Sequence, residues 1–284
     1  MTNPVAIVTD STASIPADLG EKLQITVAPN ILVWEDRSYR DGVDIDPQSF
    51  YERLRDSPEH PTTAQVPPGV FGEIYDRLLA EGKDVLAVLM SYKVSGTFQS
   101  AMLAKNERPG MPVVTIDSGM SGMGTGWLAI LAARVAQTGA DLSQCTKVVE
   151  NALDKVGVLG MLDTLKYLHR SGRIGGARRY LGSLLNLKPL LQIADGEIQP
   201  LDRVRTRRKA LDRLVDELAS RTENQRPLRV AVMHANSPEV ADRVLAQVRE
   251  RLSPDELLIT DLSPTLGTNF GEGTIGLCYM AGVP

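Results

Sequence analysis

The sequence predicts an α/β protein: a parallel-sheet N-terminal domain layered α/β/α, then a second α/β domain with an antiparallel or mixed sheet. Three observations carry that expectation. Val85-Leu-Ala-Val-Leu-Met90 is an uninterrupted apolar run, the pattern of a strand buried on both faces. Strand-like runs alternate with helical stretches through the first half, as in doubly wound sheets. Asp195-Gly196 stands between two strand-like runs as a two-residue hairpin signal, so antiparallel pairing enters after the midpoint.

Taken in order, Val5-Ala-Ile-Val8 is a short strand ending in Thr9-Asp10-Ser11-Thr12, and Ser14 to Asp18 carries a helix start with an early Pro and an early acid. Ile25 to Val33 reads as one second strand, Asp41-Gly42 as a turn and Pro47 to Arg55 as a helix. Ser57 to Gly69 is rich in proline and is expected to form a loop without regular structure. Val70 to Ala80 is an amphipathic helix; the Val85 strand gives way at Ser95-Gly96-Thr97 to a helix beginning near Phe98. Val113 to Ile116 is a strand ending in Asp117-Ser118-Gly119, and helices follow at Gly126 to Gln137 and Leu142 to Lys155.

From Val158 the texture changes, which divides the chain into expected domains of residues 1–157 and 158–284. Val158 to Met161 is a strand, Asp163 to Arg170 a helix, and Arg173-Ile-Gly-Gly176 a glycine-rich break. Arg178 to Leu185 is expected to be helical; Leu187 to Ile193 and Glu197 to Leu201 form the hairpin around Asp195-Gly196. Helix, strand, helix and strand follow at Thr206 to Ser220, Arg229 to Met233, Pro238 to Leu252 and Leu257 to Asp261. Pro264 to Thr274 reads as a glycine-rich loop before a last strand, Ile275 to Met280.

Bulk properties narrow the function classes. A net charge of −4 and 5% aromatic residues argue against a nucleic-acid binder. Two cysteines, Cys145 and Cys278, have no metal-ligand spacing and fit a reducing cytoplasm. Met1-Thr-Asn-Pro4 leads straight into a strand without a basic leader, and no apolar run approaches transmembrane length, so a cytoplasmic location without membrane insertion is expected. His60, His169 and His234 are scattered, and no phosphate loop, Gly-x-Ser-x-Gly elbow or His-Glu-x-x-His motif occurs. Neither a metal nor a cofactor is expected.

Three strand ends finish in hydroxyl or acidic residues: Thr9 to Thr12, Ser91 to Thr97 and Asp117 to Gly119. Ligands of open parallel sheets lie at the carboxyl ends of strands, and a helix start there favours an anion. Read alone, Ser95 is an N-cap; the three ends together point to a site.

Seven short motifs occur in order: Val8-Thr-Asp-Ser-Thr12, Pro61-Thr-Thr-Ala-Gln65, Val94-Ser-Gly-Thr-Phe-Gln-Ser-Ala101, Ile116-Asp-Ser118, Ser171-Gly-Arg-Ile-Gly175, Leu185-Asn-Leu-Lys-Pro189 and Val204-Arg-Thr206. The series, spanning nearly the whole chain, closely resembles the DegV family of fatty acid-binding proteins. That resemblance implies a long-chain fatty acid held between two α/β domains by a protein that is not itself an enzyme. It also implies that the bound acid is presented to a fatty acid kinase subunit for acyl phosphate formation. Carried over by motif, the carboxylate-binding residues fall on Thr63 and Ser95, with Thr62, Gly96 and Thr97 beside them. Two departures stand out. Ala64 replaces the family's serine after the threonine, and Thr268-Asn-Phe-Gly-Glu-Gly273 replaces a Thr-His-Thr-Gly-Pro-Gly pattern. Asn269 therefore stands where a histidine is expected; asparagine hydrogen-bonds a carboxyl group but does not titrate near neutral pH.

Basic residues concentrate at Arg170 to Arg179 and Arg203 to Lys209, for the most part a solvated face. Arg173 and Arg205 lie in family-like motifs and are the candidates for a phosphate-handling rim. The main rival is an enzyme acting on a small phosphorylated or carboxylated metabolite. A nucleic-acid-linked regulator ranks third.

Overall fold

The computed structural model describes residues 3–180 and 187–284. The first half supplies strands β1 (Val5–Asp10), β2 (Thr26–Ala28), β3 (Ile31–Trp34), β4 (Arg37–Arg40), β5 (Thr62–Ala64), β6 (Asp84–Leu89) and β7 (Val113–Asp117). Its helices are α1 (Ala17–Lys22), α2 (Pro47–Asp56), α3 (Pro68–Ala80), α4 (Thr97–Asn106), α5 (Met123–Gln137) and α6 (Leu142–Ala152). After them come β8 (Val156–Met161), α7 (Lys166–Ser171), β9 (Lys188–Ala194), β10 (Glu197–Val204), α8 (Arg207–Thr222), β11 (Leu228–His234), α9 (Pro238–Leu252), β12 (Glu256–Asp261), α10 (Pro264–Phe270) and β13 (Ile275–Ala281).

A parallel sheet in the order β2-β1-β6-β7 forms the first layer. Side chains alternate across a strand, so the apolar run of β6 feeds two cores. Leu86 and Val88 join the core packed by α5 and α6, whereas Val85, Ala87 and Leu89 meet Phe71, Tyr75 and Leu78 of α3 and Ala101 and Ala104 of α4. That is why the run has no polar interruptions. The second sheet runs β10-β9-β8-β13-β11-β12, with only β11 and β12 parallel. The Asp195-Gly196 hairpin pairs β9 with β10 as expected.

Helix α5 joins the layers. Every residue from Met123 to Ala133 is buried. Its core includes Ile7, Leu86 and Val88 of the first sheet and Ala231, Met233, Cys278 and Met280 of the second. A helix apolar all round is the form such a sandwiched position demands. Trp127, fully buried, donates its indole N–H to the Cys278 carbonyl at 3.4 Å. Among the described residues no helix is long and apolar enough to cross a membrane.

Four expectations are corrected. The run Ile25 to Val33 is two strands in two sheets, because Pro29 supplies no N–H and Asn30 turns its amide inward: β2 joins the parallel sheet, and β3 pairs antiparallel with β4 and β5. The proline-rich Ser57 to Gly69 segment holds a strand, β5, whose Thr63 pairs with Leu32; three residues between prolines offer no periodicity to read. Pro264 to Thr274 begins with a helix, α10, where Ser263 caps the Leu266 N–H at 3.4 Å. Its Gly267 marks contact, not a turn: a Cβ there would overlap the Tyr51 hydroxyl. The expected helix from Arg178 to Leu185 is a 3₁₀ turn, Gly175–Tyr180, as far as Tyr180. The remainder lies outside the described residues, as do Leu185 and Asn186 of the sixth motif.

If α5 fastens both sheets into one unit, Trp127→Ala should cost about 3–5 kcal/mol in a single urea transition seen alike by fluorescence and far-UV circular dichroism. Two separable transitions would show that the sheets unfold independently.

Candidate functional site

Two adjoining clefts lie where the sheets face each other. One carries polar groups from both halves among its apolar lining, with Asn30, Thr63, Ser95, Thr265 and Asn269 the chief of them, and spans about 550 Å³ of atom-free space, part of it open to solvent. The other, of about 460 Å³, is walled largely by apolar residues such as Val158, Leu159, Leu191 and Met233. Ser121, Ile193, Ile198, Leu266 and Phe270 line both, so a polar end passes into an apolar one.

Each wall of the polar end has a local cause. Thr63 lies on β5, an edge strand held by β3. Ser95 sits in the turn between β6 and α4, and Thr97 N–H donates to its Oγ at 3.2 Å. A Cβ at Gly96 would displace the end of the Gln65 side chain, whose Nε2 crosses to Ser100 Oγ at 2.8 Å. Asn269 projects from α10; its Nδ2 donates to the Thr265 carbonyl at 2.8 Å, and its Oδ1 is buried without a partner. One N–H of that amide is thus left over.

Behind these residues is a buried polar network. Asp10 Oδ1 accepts from Thr12 N–H at 3.0 Å, from the Thr12 hydroxyl and from Asn30 Nδ2 at 3.3 Å, while Oδ2 accepts from Met90 N–H at 2.9 Å. Thr97 Oγ1 donates to Asn30 Oδ1 at 3.0 Å. With that proton committed, Ser95 is the donor in its 3.0 Å contact with Thr97. An anion entering the cleft can take the Ser95 proton without orphaning Thr97, which still accepts from Val66 N–H at 3.4 Å.

The structure thus brings Thr63, Ser95, Asn269 and Arg173 to one cleft. Thr62, Gly96, Thr97 and Arg205 are not among its lining residues: Thr62 and Arg205 are exposed, and Thr97 is buried in the network. Of the three hydroxyl-rich strand ends, Asp10 and Ser11 are spent in the network, and Asp117 accepts from the Gly119 N–H of its own turn and from the Tyr92 N–H of the β6–α4 turn. Asn30, Ser121 and Thr265 were not singled out from sequence. Asn30 had a signal, the Pro29-Asn30 break in an apolar run. Among the described residues no three His, Cys, Asp or Glu side chains gather to hold a metal.

Asp41 completes the network. Its Oδ2 accepts from Ser11 Oγ at 2.9 Å and Thr265 N–H at 3.3 Å, and its Oδ1 is buried without a partner. Burial pushes the Asp41 carboxyl above its ordinary range, against those hydrogen bonds; Asp10 is shifted the same way for the same reason. A carboxyl that holds its proton longer folded than unfolded stabilises the fold at low pH, and that stability is lost as pH rises through the folded value. Asp41→Asn keeps the acceptor and removes the charge, so the variant should lose less stability than the parent between about pH 4 and pH 7, read from urea midpoints. Equal losses would deny Asp41 any part in the pH dependence.

Known proteins can now be set beside this geometry. The family model described as "Uncharacterised protein, DegV family" matches residues 4–282. Protein DegV of Bacillus subtilis is 34% identical over 276 residues, 97% of this chain and 98% of that one. A DegV domain-containing protein of Mycobacterium bovis is 36% identical over 281 residues, 98% of each. The crystal structure of the Bacillus subtilis DegV, described as a fatty acid binding protein, superposes with a TM-score of 0.91 at 33% identity, covering 99% of this chain and 100% of that one. A DegV family protein from Thermus thermophilus, whose structure is described for its fatty acid binding, has a TM-score of 0.90 at 30% identity over 99% and 100% of the two chains. A match along almost the full length, in sequence and in fold, shows that this chain belongs to the DegV family.

Proposed function

We propose that this chain is a cytoplasmic carrier that binds one long-chain fatty acid between domains of residues 1–157 and 158–284. Thr63 and Ser95 hold its carboxylate. The observation that carries the reading is the pair of clefts that share a wall, one where hydroxyls and amides stand among apolar side chains and the other almost wholly apolar. An amphiphile with a small polar head and a long apolar tail matches that division. The DegV proteins of Bacillus subtilis and Thermus thermophilus, described as fatty acid binding, support it.

Magnitudes assign the roles. Burying about fourteen methylenes at ~0.8 kcal/mol each is worth on the order of 11 kcal/mol before ordering costs. Hydrogen bonds to a charged carboxylate add about 1.5–3 kcal/mol each. The tail therefore supplies most of the affinity and the head supplies orientation. Asn269 offers its spare N–H from the opposite wall, and Arg173, exposed at the edge of the polar cleft, gives that end a positive rim. In this reading the protein performs no chemistry on the acid and presents it to a fatty acid kinase subunit, with Arg173 and the outlying Arg205 facing the phosphate-handling partner.

Thr63→Ala and Ser95→Ala should each weaken binding of hexadecanoic acid by about 1–3 kcal/mol, measured by titration calorimetry. Hexadecanol should bind the parent less well than the acid and lose little further in either variant. Equal losses for acid and alcohol would mean general damage and no carboxylate site at these hydroxyls.

A further inference from the structure

Ser121 stands where the polar and apolar clefts meet and lines both. It is 5% exposed, and its Oγ is buried with no hydrogen-bond partner among the described residues. The other polar residues of the apolar cleft are engaged. Thr274 Oγ1 donates to the Phe270 carbonyl at 3.1 Å, and Gln192 Oε1 accepts from Arg221 Nη2 at 2.6 Å. Turn formation does not account for Ser121 either. In the same β7–α5 turn it is Ser118 whose hydroxyl is used, accepting from Met120 N–H at 3.1 Å and pairing with Thr125 Oγ1 at 2.9 Å. Ser121 alone is left with an unused donor and acceptor on an aliphatic wall.

Buried hydroxyls without partners are costly and uncommon, and each one calls for a reason. A methylene passing Ser121 offers it nothing, whereas a hydroxyl carried on the chain both donates and accepts. We propose that Ser121 recognises a hydroxyl on the interior of the acyl chain, so that hydroxylated long-chain fatty acids belong to the ligand class of this protein. The inference rests on the fatty-acid reading and adds a second polar contact beyond the carboxylate. It is position-selective. A hydroxyl that reaches Ser121 exchanges its water for a partner, and one placed elsewhere on the tail loses its water to an aliphatic wall.

The test titrates the parent and Ser121→Ala with hexadecanoic acid and with monohydroxyhexadecanoic acids whose hydroxyl lies next to the carboxyl, in mid-chain or near the methyl end. In the parent one interior isomer should bind about tenfold more tightly than the isomer hydroxylated near the methyl end. In Ser121→Ala that preference should vanish. A preference of the same size in both proteins, or none in the parent, overturns the role of Ser121. A general structural effect of the substitution would weaken all ligands in proportion and leave the ratio unchanged, which also overturns it. Absence of saturable hexadecanoic acid binding by the parent would instead overturn the fatty-acid reading, and this inference with it.

Discussion

The polar end of the cleft depends on how Asn30 is satisfied. Its amide gives hydrogens to Asp10 and Ser11 and takes one from Thr97; its backbone N–H goes to Ser11, and its carbonyl accepts the Asp41 N–H at 2.8 Å. Every polar group of a residue only 1% exposed is thereby used. That saturation fixes three segments distant in sequence: the end of β1, the break between β2 and β3, and the start of α4. It also settles proton direction, because Thr97 spends its hydrogen on Asn30 and is left to accept. A buried network of this kind specifies one arrangement when complete and is costly when broken.

From that arrangement the division of labour follows. The parallel sheet holds the hydroxyl-bearing strand ends, and the mixed sheet supplies the apolar wall through Val158, Leu159 and Leu191. Neither sheet makes the cleft alone. Helix α5, buried on every side between them, keeps the two faces in register, and α10 closes the polar end with Thr265 and Asn269. In the proposed site, asparagine at 269 differs in kind from a histidine: it donates a hydrogen bond without titrating near neutral pH. His60, whose Nε2 lies 2.9 Å from the Thr268 carbonyl, is stacked on Tyr167, and burial holds its pKa below the ordinary histidine value.

Long elements could be read from sequence because burial imprints a period on them. The apolar run of β6 and helices α3 and α9 lie where the pattern puts them, within a residue or two, and the Asp195-Gly196 turn joins β9 to β10 as expected, though β10 runs on to Val204. What escaped were short pieces whose shape is set by distant partners. Nothing within Thr62 to Ala64 indicates a strand; its hydrogen-bonding edge belongs to β3. The glycines between Pro264 and Thr274 suggest a loop until Tyr51 and Phe50 are seen to press against Gly267 of α10. The site divides the same way. Thr63, Ser95 and Asn269, reached through resemblance to a family, line one cleft, while Asn30, Ser121 and Thr265 had to be found in space. Arg205 was chosen for its motif, and its exposed position outside the lining residues leaves it a surface group.

A fatty acid is the proposed occupant of the paired clefts. Mass spectrometry of the purified protein, first under native and then under denaturing conditions, tests that proposal most directly. One long-chain monocarboxylic acid per chain is expected, retained in the native ion and released on denaturation, because the buried tail is shielded from water. Recovery of a polar metabolite, or of no fatty acid together with no saturable uptake of an added one, would contradict it.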